Sequence, residues 1–217
     1  MCYKRIMPKI VDPVQRREAI ADALFAIVAD RGFAKISLRA IAEESGLAIG
    51  SIRHYFTTAE GIVRFALETL VERVSARLED RLASLLPRLE SGALGRDEAK
   101  EETVDLLAEL LPLDEIRHRE SVVWLAFEEA ARTDPALSDV FETSARGSRQ
   151  LMARTVESMS RRGVLRADLD LELEVDLLAA LVDGLTLRST LHPEVLAPER
   201  AREVLAAHLE GLRRGSD

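Results

Sequence analysis

Within two helical turns, Gly50, Ser51, Arg53 and His54 surround one branched apolar residue, Ile52. Side chains of these types can do hydrogen-bonding chemistry on the edge of a base pair. The Arg53 guanidinium can bond guanine O6 and N7 together, a contact worth about 1–3 kcal/mol of discrimination. The same group could instead hold a phosphate. His54 could reach the nucleic-acid backbone or lie on the surface as an ordinary exposed histidine. Catalytic chemistry finds no comparable footing. There is no HExxH, no CxxC, no phosphate-cradling glycine loop and no nucleophile elbow. His54, His118, His192 and His208 stand far apart, and the acidic run 168–176 lacks the central glycine of a calcium loop. That run reads as a connector followed by an acidic first helical turn, which suits the helix dipole. Neither a metal nor a cofactor is expected, and an all-helical enzyme is the remotest of the alternatives.

The polar cluster needs a scaffold, and residues 37–56 supply its pattern. Ser37 is placed to cap a helix that carries Leu38, Ile41 and Ala42 at helical spacing. Gly46 follows where the chain must turn and a left-handed backbone is easiest for glycine. Leu47, Ile52 and Tyr55 restart the apolar pattern in a second helix near 49–56. Ala42, Gly46 and Ile52 thus give a close approach, a bend and a plug, the arrangement of a helix-turn-helix whose second helix can enter a major groove. An αα-corner in any helical protein fits the same spacing. The preceding segment decides between them: 14–31 carries Ile20, Leu24, Ile27 and Val28 on one stripe, Gly32 ends it, and Phe25 and Phe33 help close a three-helix core.

Charge is divided along the chain. The net formal charge is −8, yet residues 1–56 hold nine Lys/Arg against six Asp/Glu. A basic head on an acidic body suits a protein that meets phosphate at one end only. Residues 1–13, with Lys4, Arg5 and Lys9, read as a flexible arm that either touches nucleic acid or is simply solvated. With 47% hydrophobic, 31% charged and only 4% aromatic residues, the 217-residue chain is expected to be all-α. One cysteine, Cys2, no signal-peptide pattern and no apolar run approaching ~18 residues point to the cytoplasm and away from a membrane.

Beyond the head, Thr57 and Thr58 open a long apolar-striped helix over 59–86, about 42 Å at 1.5 Å per residue, which Pro87 should end or kink. Further helices are expected at 97–111, 114–132, 134–162, 171–191 and from Pro198 to about 213, giving about nine in all. Two domains follow: a helix-turn-helix head, 1–58, and a larger body, 59–217, for dimerisation and ligand sensing. A palindromic DNA site would require two heads. The last two helices are the interface candidates, through Leu177, Leu181, Gly184, Leu185, Val204, Leu205, His208 and Leu212. These residues could equally be buried within one subunit. A ligand pocket could use Trp124, Phe127 and Glu128, with His118, Arg149, Met152 and Thr186 as further candidates. The aromatic pair also fits plain core.

This layout resembles the TetR family of transcriptional regulators. The likeness is carried by RGFAKISLRAIAEESGLAIGSIRHYF (31–56) and is specific over 16–65. WLAFEEAARTDPALSDVF (124–141) and DGLTLR (183–188) are similar to the subgroup of choline-responsive BetI-type regulators. The resemblance implies phosphate contacts from Ser37 and Arg39, groove contacts from Ile49, Gly50, Ser51 and Arg53, and DNA-backbone contacts from His54 and Tyr55. It also implies a homodimer on a double-stranded operator, released by a small-molecule effector. The family's usual lysine after the Phe-x-x step is replaced by Ala59, leaving Thr57, Thr58 and backbone N–H groups as the phosphate ligands there. A ligand-independent or architectural DNA binder is the main alternative.

Overall fold

The computed structural model describes residues 13–213; apart from Pro13, the expected basic arm lies outside the described residues. The chain divides into two units between Thr69 and Leu70. In the first, α1 (Pro13–Arg31) is followed by a single 3-10 turn at Phe33–Lys35, then α2 (Leu38–Ser45) and α3 (Ile49–Tyr55). α4 (Ala59–Glu90) begins in this unit and continues into the second, which adds α5 (Arg96–Ala108), α6 (Glu115–Ala131), α7 (Pro135–Arg161), α8 (Leu171–Leu191) and α9 (Pro198–Gly211). The described residues are therefore all-α, with one isolated β-bridge pairing Leu165 with Arg213.

Local chemistry sets the boundaries of the head. Ser37 is extended, and its Oγ accepts the Ala40 N–H at 3.1 Å, satisfying one of the N–H groups that the first turn of α2 leaves open. α2 stops at Gly46, whose φ of 67° lies in the left-handed region. α1 packs on α2, and α2 on α3. Ile20, Leu24, Ile27, Ile41 and Ile52 are wholly buried between them, each side chain contributing roughly 1.5–3 kcal/mol by burial.

The body is built around an apolar cluster shared by α4, α5, α7, α8 and α9, including Leu85, Leu107, Met152, Leu178, Val182, Leu205 and Leu209. Asp114, Asp134 and Asp170 cap α6, α7 and α8 by accepting first-turn N–H groups. Two expected boundaries move. α4 does not stop or break at Pro87 but runs to Glu90. Proline removes only its own N–H, and here the lost bond falls in the last turn, where the chain closes through Ser91 N–H to Pro87 O (3.0 Å) and Ala93 N–H to Arg88 O (3.1 Å). The stop comes at Gly92, φ 69°. α5 ends at Ala108 rather than 111, because the last residues before Pro112 tighten into three-residue turns.

Gly46 offers a clean test of the turn. A Cβ there would meet nothing within 4 Å, so substitution carries only a backbone penalty. Gly46→Ala is expected to destabilise the head by about 1–2 kcal/mol, the cost of a left-handed Cβ. Thermal unfolding of the two proteins side by side would show it; an unchanged melting curve would mean that the turn does not depend on the glycine.

Candidate nucleic-acid interface

α3 presents two different sides. Ile52 is completely buried, while Ile49, Gly50, Arg53 and His54 are exposed and Ser51 and Tyr55 are half-exposed. The buried isoleucine fixes which way the helix faces, so the polar residues point outward by helical geometry. Among the described residues, Arg53 makes no hydrogen bond or ion pair. Arg39 differs: its Nε donates to Glu43 at 2.8 Å on an exposed face of α2. A phosphate would have to draw it from that carboxylate. His54 stands edge-on to Tyr55, ring centroids 5.2 Å apart.

Ser37 and Thr58 are both engaged as caps. Thr58 Oγ1 accepts the Gly61 N–H at 3.0 Å, so this side chain serves the start of α4. The remaining first-turn N–H groups of α4, beside Ala59, are the local anion-seeking atoms. Two residues that the sequence pattern does not single out shape the head. Arg16 donates from Nη1 to Ser51 Oγ at 2.8 Å. Arg17 lies over the rings of Phe56 (5.4 Å) and Phe65 (4.3 Å), tying α1 to both ends of the α3–α4 junction. The adjacent arginines are visible in the sequence, but their partners, more than 30 residues away, are not.

In the body the expected pocket residues separate. Trp124 packs against Phe141 of α7, centroids 4.5 Å apart, and Glu128 lies one turn further along α6. Phe127 is wholly buried and Met152 belongs to the core cluster. Arg149 faces solvent and pairs with Asp176 at 2.8 Å. Thr186 Oγ1 donates to the Leu110 carbonyl at 2.9 Å, a structural bond between α8 and the turn after α5. His118 is half-buried on α6. Sequence reasoning missed Asp183 of α8. Burial raises its carboxyl above the usual range; burial and then the Asp183 charge do the same to Glu128. Both are open to solvent on one side and crowded on the other, and neither has a basic partner among the described residues.

The expected interface residues also divide. Leu185, Leu205 and Leu212 are buried in the protomer's own core, so they cannot reach a second copy unless that core opens. Leu177 and Gly184 are exposed, and Leu181, Val204 and His208 are half-buried. Leu173, Leu177, Ala180, Gly184, Leu187 and Leu191 instead form an unbroken apolar stripe along the outer face of α8. The four leucines are 43–54% exposed. No helix among the described residues is long and apolar enough to cross a membrane.

Residues 20–64 match the family described as bacterial regulatory proteins, tetR family, and residues 99–214 that described as BetI-type transcriptional repressor, C-terminal. The chain is 33% identical to the HTH-type transcriptional regulator PksA of Bacillus subtilis, over 95% of this chain and 94% of that one. It is 30% identical to a transcriptional regulator from Rhodococcus sp. Rha1 whose crystal structure superposes with a TM-score of 0.72, covering 90% and 95% of the two chains. A regulator from Saccharomonospora viridis, solved in complex with choline, shares the fold at 23% identity and a TM-score of 0.78, covering 94% and 100%.

The crowded acids predict a pH effect. A carboxyl whose pKa is raised by folding stabilises the fold when protonated; that contribution is complete below its ordinary pKa and is lost as pH rises through the raised value. Asp183→Asn should therefore raise the melting temperature at pH 7.5, with the gain shrinking towards pH 4.5. A pH-independent gain would assign the effect to something other than the charge.

Proposed function

The chain belongs to the TetR family of bacterial regulatory proteins, and from that premise we propose how this transcriptional regulator works. The head, through Thr58, binds a double-stranded operator. α3 enters the major groove with Arg53 as the principal base reader, beside Ile49, Gly50, Ser51 and His54. Ser37, Arg39, Tyr55, Thr58 and the first-turn amides of α4 hold the flanking phosphates. The observation that carries the reading is the Arg53 guanidinium: exposed, without a partner in the described chain, and aimed outward by a fully buried Ile52 one residue away.

The body makes the homodimer and senses an effector in the cytoplasm. The stripe from Leu173 to Leu191 on α8, flanked by Val204 and His208 of α9, supports pairing with a second copy. Its spacing is that of a helix seam, and Ala180 and Gly184 admit close approach. Two heads then read half-sites about 34–36 Å apart. Trp124, Phe141, Glu128 and Asp183 support a cationic effector, since Glu128 lies one helical turn from the Trp124–Phe141 contact and feels the Asp183 charge, and neither carboxylate has a basic partner among the described residues. The choline-bound S. viridis regulator has the same fold.

α6 carries Trp124 and Glu128, and also Glu120, which forms a bidentate pair with Arg77 of α4 at 3.0 and 2.6 Å. A displacement of α6 by ligand is thereby passed to α4, the helix that continues from the head. The effector must favour one arrangement over the other; a coupling of about 1–3 kcal/mol is typical.

Selecting DNA from a random pool with the full-length protein, then titrating the selected complex with choline and other quaternary amines, tests the reading. Sequence enrichment with a palindromic centre and release by a cation are expected; no enrichment would refute it. Arg53→Ala should weaken operator binding more than random-DNA binding, by about 1–3 kcal/mol at one or two base positions. Equal losses would make Arg53 a phosphate ligand. Leu177→Glu should convert a dimeric mass in solution to a monomeric one at micromolar concentration. A dimer that survives the change would place the interface elsewhere.

A further inference from the structure

Arg16 and Ser51 are 35 residues apart in sequence and joined by one hydrogen bond, Nη1 to Oγ at 2.8 Å, between the first turn of α1 and the exposed side of α3. Both residues are only half-buried, so the pair lies at the edge of the surface proposed to enter the groove. A serine hydroxyl carries one donor and two acceptor lone pairs, and left alone it turns to suit whatever it meets. A guanidinium only donates. With Arg16 bonded to the oxygen, the hydroxyl proton cannot point back towards α1, and the charge-assisted bond sharpens the O–H as a donor. Among the described residues Ser51 donates to no acceptor. Its proton is therefore left for the groove.

We propose that Arg16 is a specificity-determining positioning residue: it locks Ser51 as a hydrogen-bond donor, so that the base edge opposite Ser51 must be an acceptor and cytosine is rejected there. In the major groove purine N7, guanine O6 and thymine O4 accept, whereas cytosine presents the N4 amino donor. A donor facing a donor leaves both groups unpaired, which costs more than an absent contact. An unlocked serine would tolerate either edge. The planar fork of arginine suits this role better than lysine, whose single ammonium on a flexible stem holds direction less well. The proposal rests on the reading of α3 as the groove helix.

The test uses the full-length protein and the operator it selects from random DNA. Binding is measured to that operator and its single-base variants, at several salt concentrations, for wild type, Ser51→Ala, Arg16→Gln, Arg16→Lys and Arg16→Gln/Ser51→Ala. The position at which Ser51→Ala alters base preference identifies the base opposite Ser51. At that position wild type should disfavour cytosine by about fivefold, the worth of one net hydrogen bond. Arg16→Gln, whose amide can accept as well as donate, should abolish that discrimination while binding the selected operator within about threefold of wild type at an unchanged salt slope. Arg16→Lys should retain part of the preference, and the double variant should match Ser51→Ala. Melting temperatures of all variants show whether each is folded; if Arg16→Gln is not, a partial loss of discrimination in Arg16→Lys decides. Wild-type discrimination in a folded Arg16→Gln protein would overturn the proposal. So would a uniform loss for every sequence with a salt slope smaller by about 0.9, which marks a plain phosphate contact. A wild-type protein that enriches no sequence would overturn the groove reading itself, and the proposal with it.

Discussion

Seven residues of helix hold too few internal hydrogen bonds to persist in water, where isolated helices shorter than roughly 12–15 residues are marginal. α3 has that length, so its orientation must be imposed from outside. Ile52 does most of this by disappearing entirely into the core that α1 and α2 build, and Gly46 lets the chain turn back sharply enough to bring it there. Hydrogen bonding and cation–π contact complete the constraint, with Arg16 holding Ser51 and Arg17 covering Phe56 just past the helix end. The helix proposed to read bases is thus aimed by another helix. Its precision depends on α1 as much as on its own sequence.

The second part of α4 is held by two kinds of contact. Leu78, Leu82, Leu85 and Leu89 give it an apolar stripe against the body core. On another face Arg77 reaches Glu120 of α6, Arg81 reaches Glu109 in the turn after α5, and Arg88 reaches Glu102 of α5; Glu109 is shared with Arg117. Close-packed apolar side chains resist gradual sliding, since a small displacement forfeits many contacts at once. Partly exposed ion pairs on long side chains are worth less individually and can exchange partners over a few ångströms. A helix that must keep its place yet yield to a ligand is suited by this mixture.

The helix-turn-helix was legible in the sequence because its determinants are local. Ser37 and Gly46 each answer a backbone need created within a few residues, and Ile52 follows from its spacing to Ala42 and Gly46, although the core that receives it includes α1. The Asp–Pro start of α7 and the glycine after it are of the same kind. Pro87 was less legible: a proline in the last turn costs little, and only the hydrogen bonds beyond it show that the turn is the last. α8 was ambiguous for a different reason. Apolar residues surround it, so periodicity could not say that Leu185 turns inward while Leu177 turns out. Arg16–Ser51, Arg149–Asp176 and the closeness of Glu128 to Asp183 are tertiary pairings, and no spacing rule reaches across them.

A net charge of −8 is the feature that argues most directly against DNA as a partner, and it fails on physical grounds. At physiological salt a charge is felt over about 8 Å, so a phosphate responds to its neighbours and not to the chain's total. Ion pairing within the head leaves the local excess of cations as it is, since each pair removes one charge of either sign. Arg31 is paired with Glu44 and Arg39 with Glu43. Arg16 is bonded to a neutral oxygen and keeps its charge, and Arg53 has no partner in the described chain. Arg17 and Lys35 likewise make no ion pair among the described residues, and first-turn amides at Ala59 stand where the family's basic side chain would be expected. Affinity that does not depend on sequence scales with the number of phosphates neutralised. The cations of the head that meet phosphate therefore set its affinity for any DNA, and the base edges that α3 meets add the preference for one sequence.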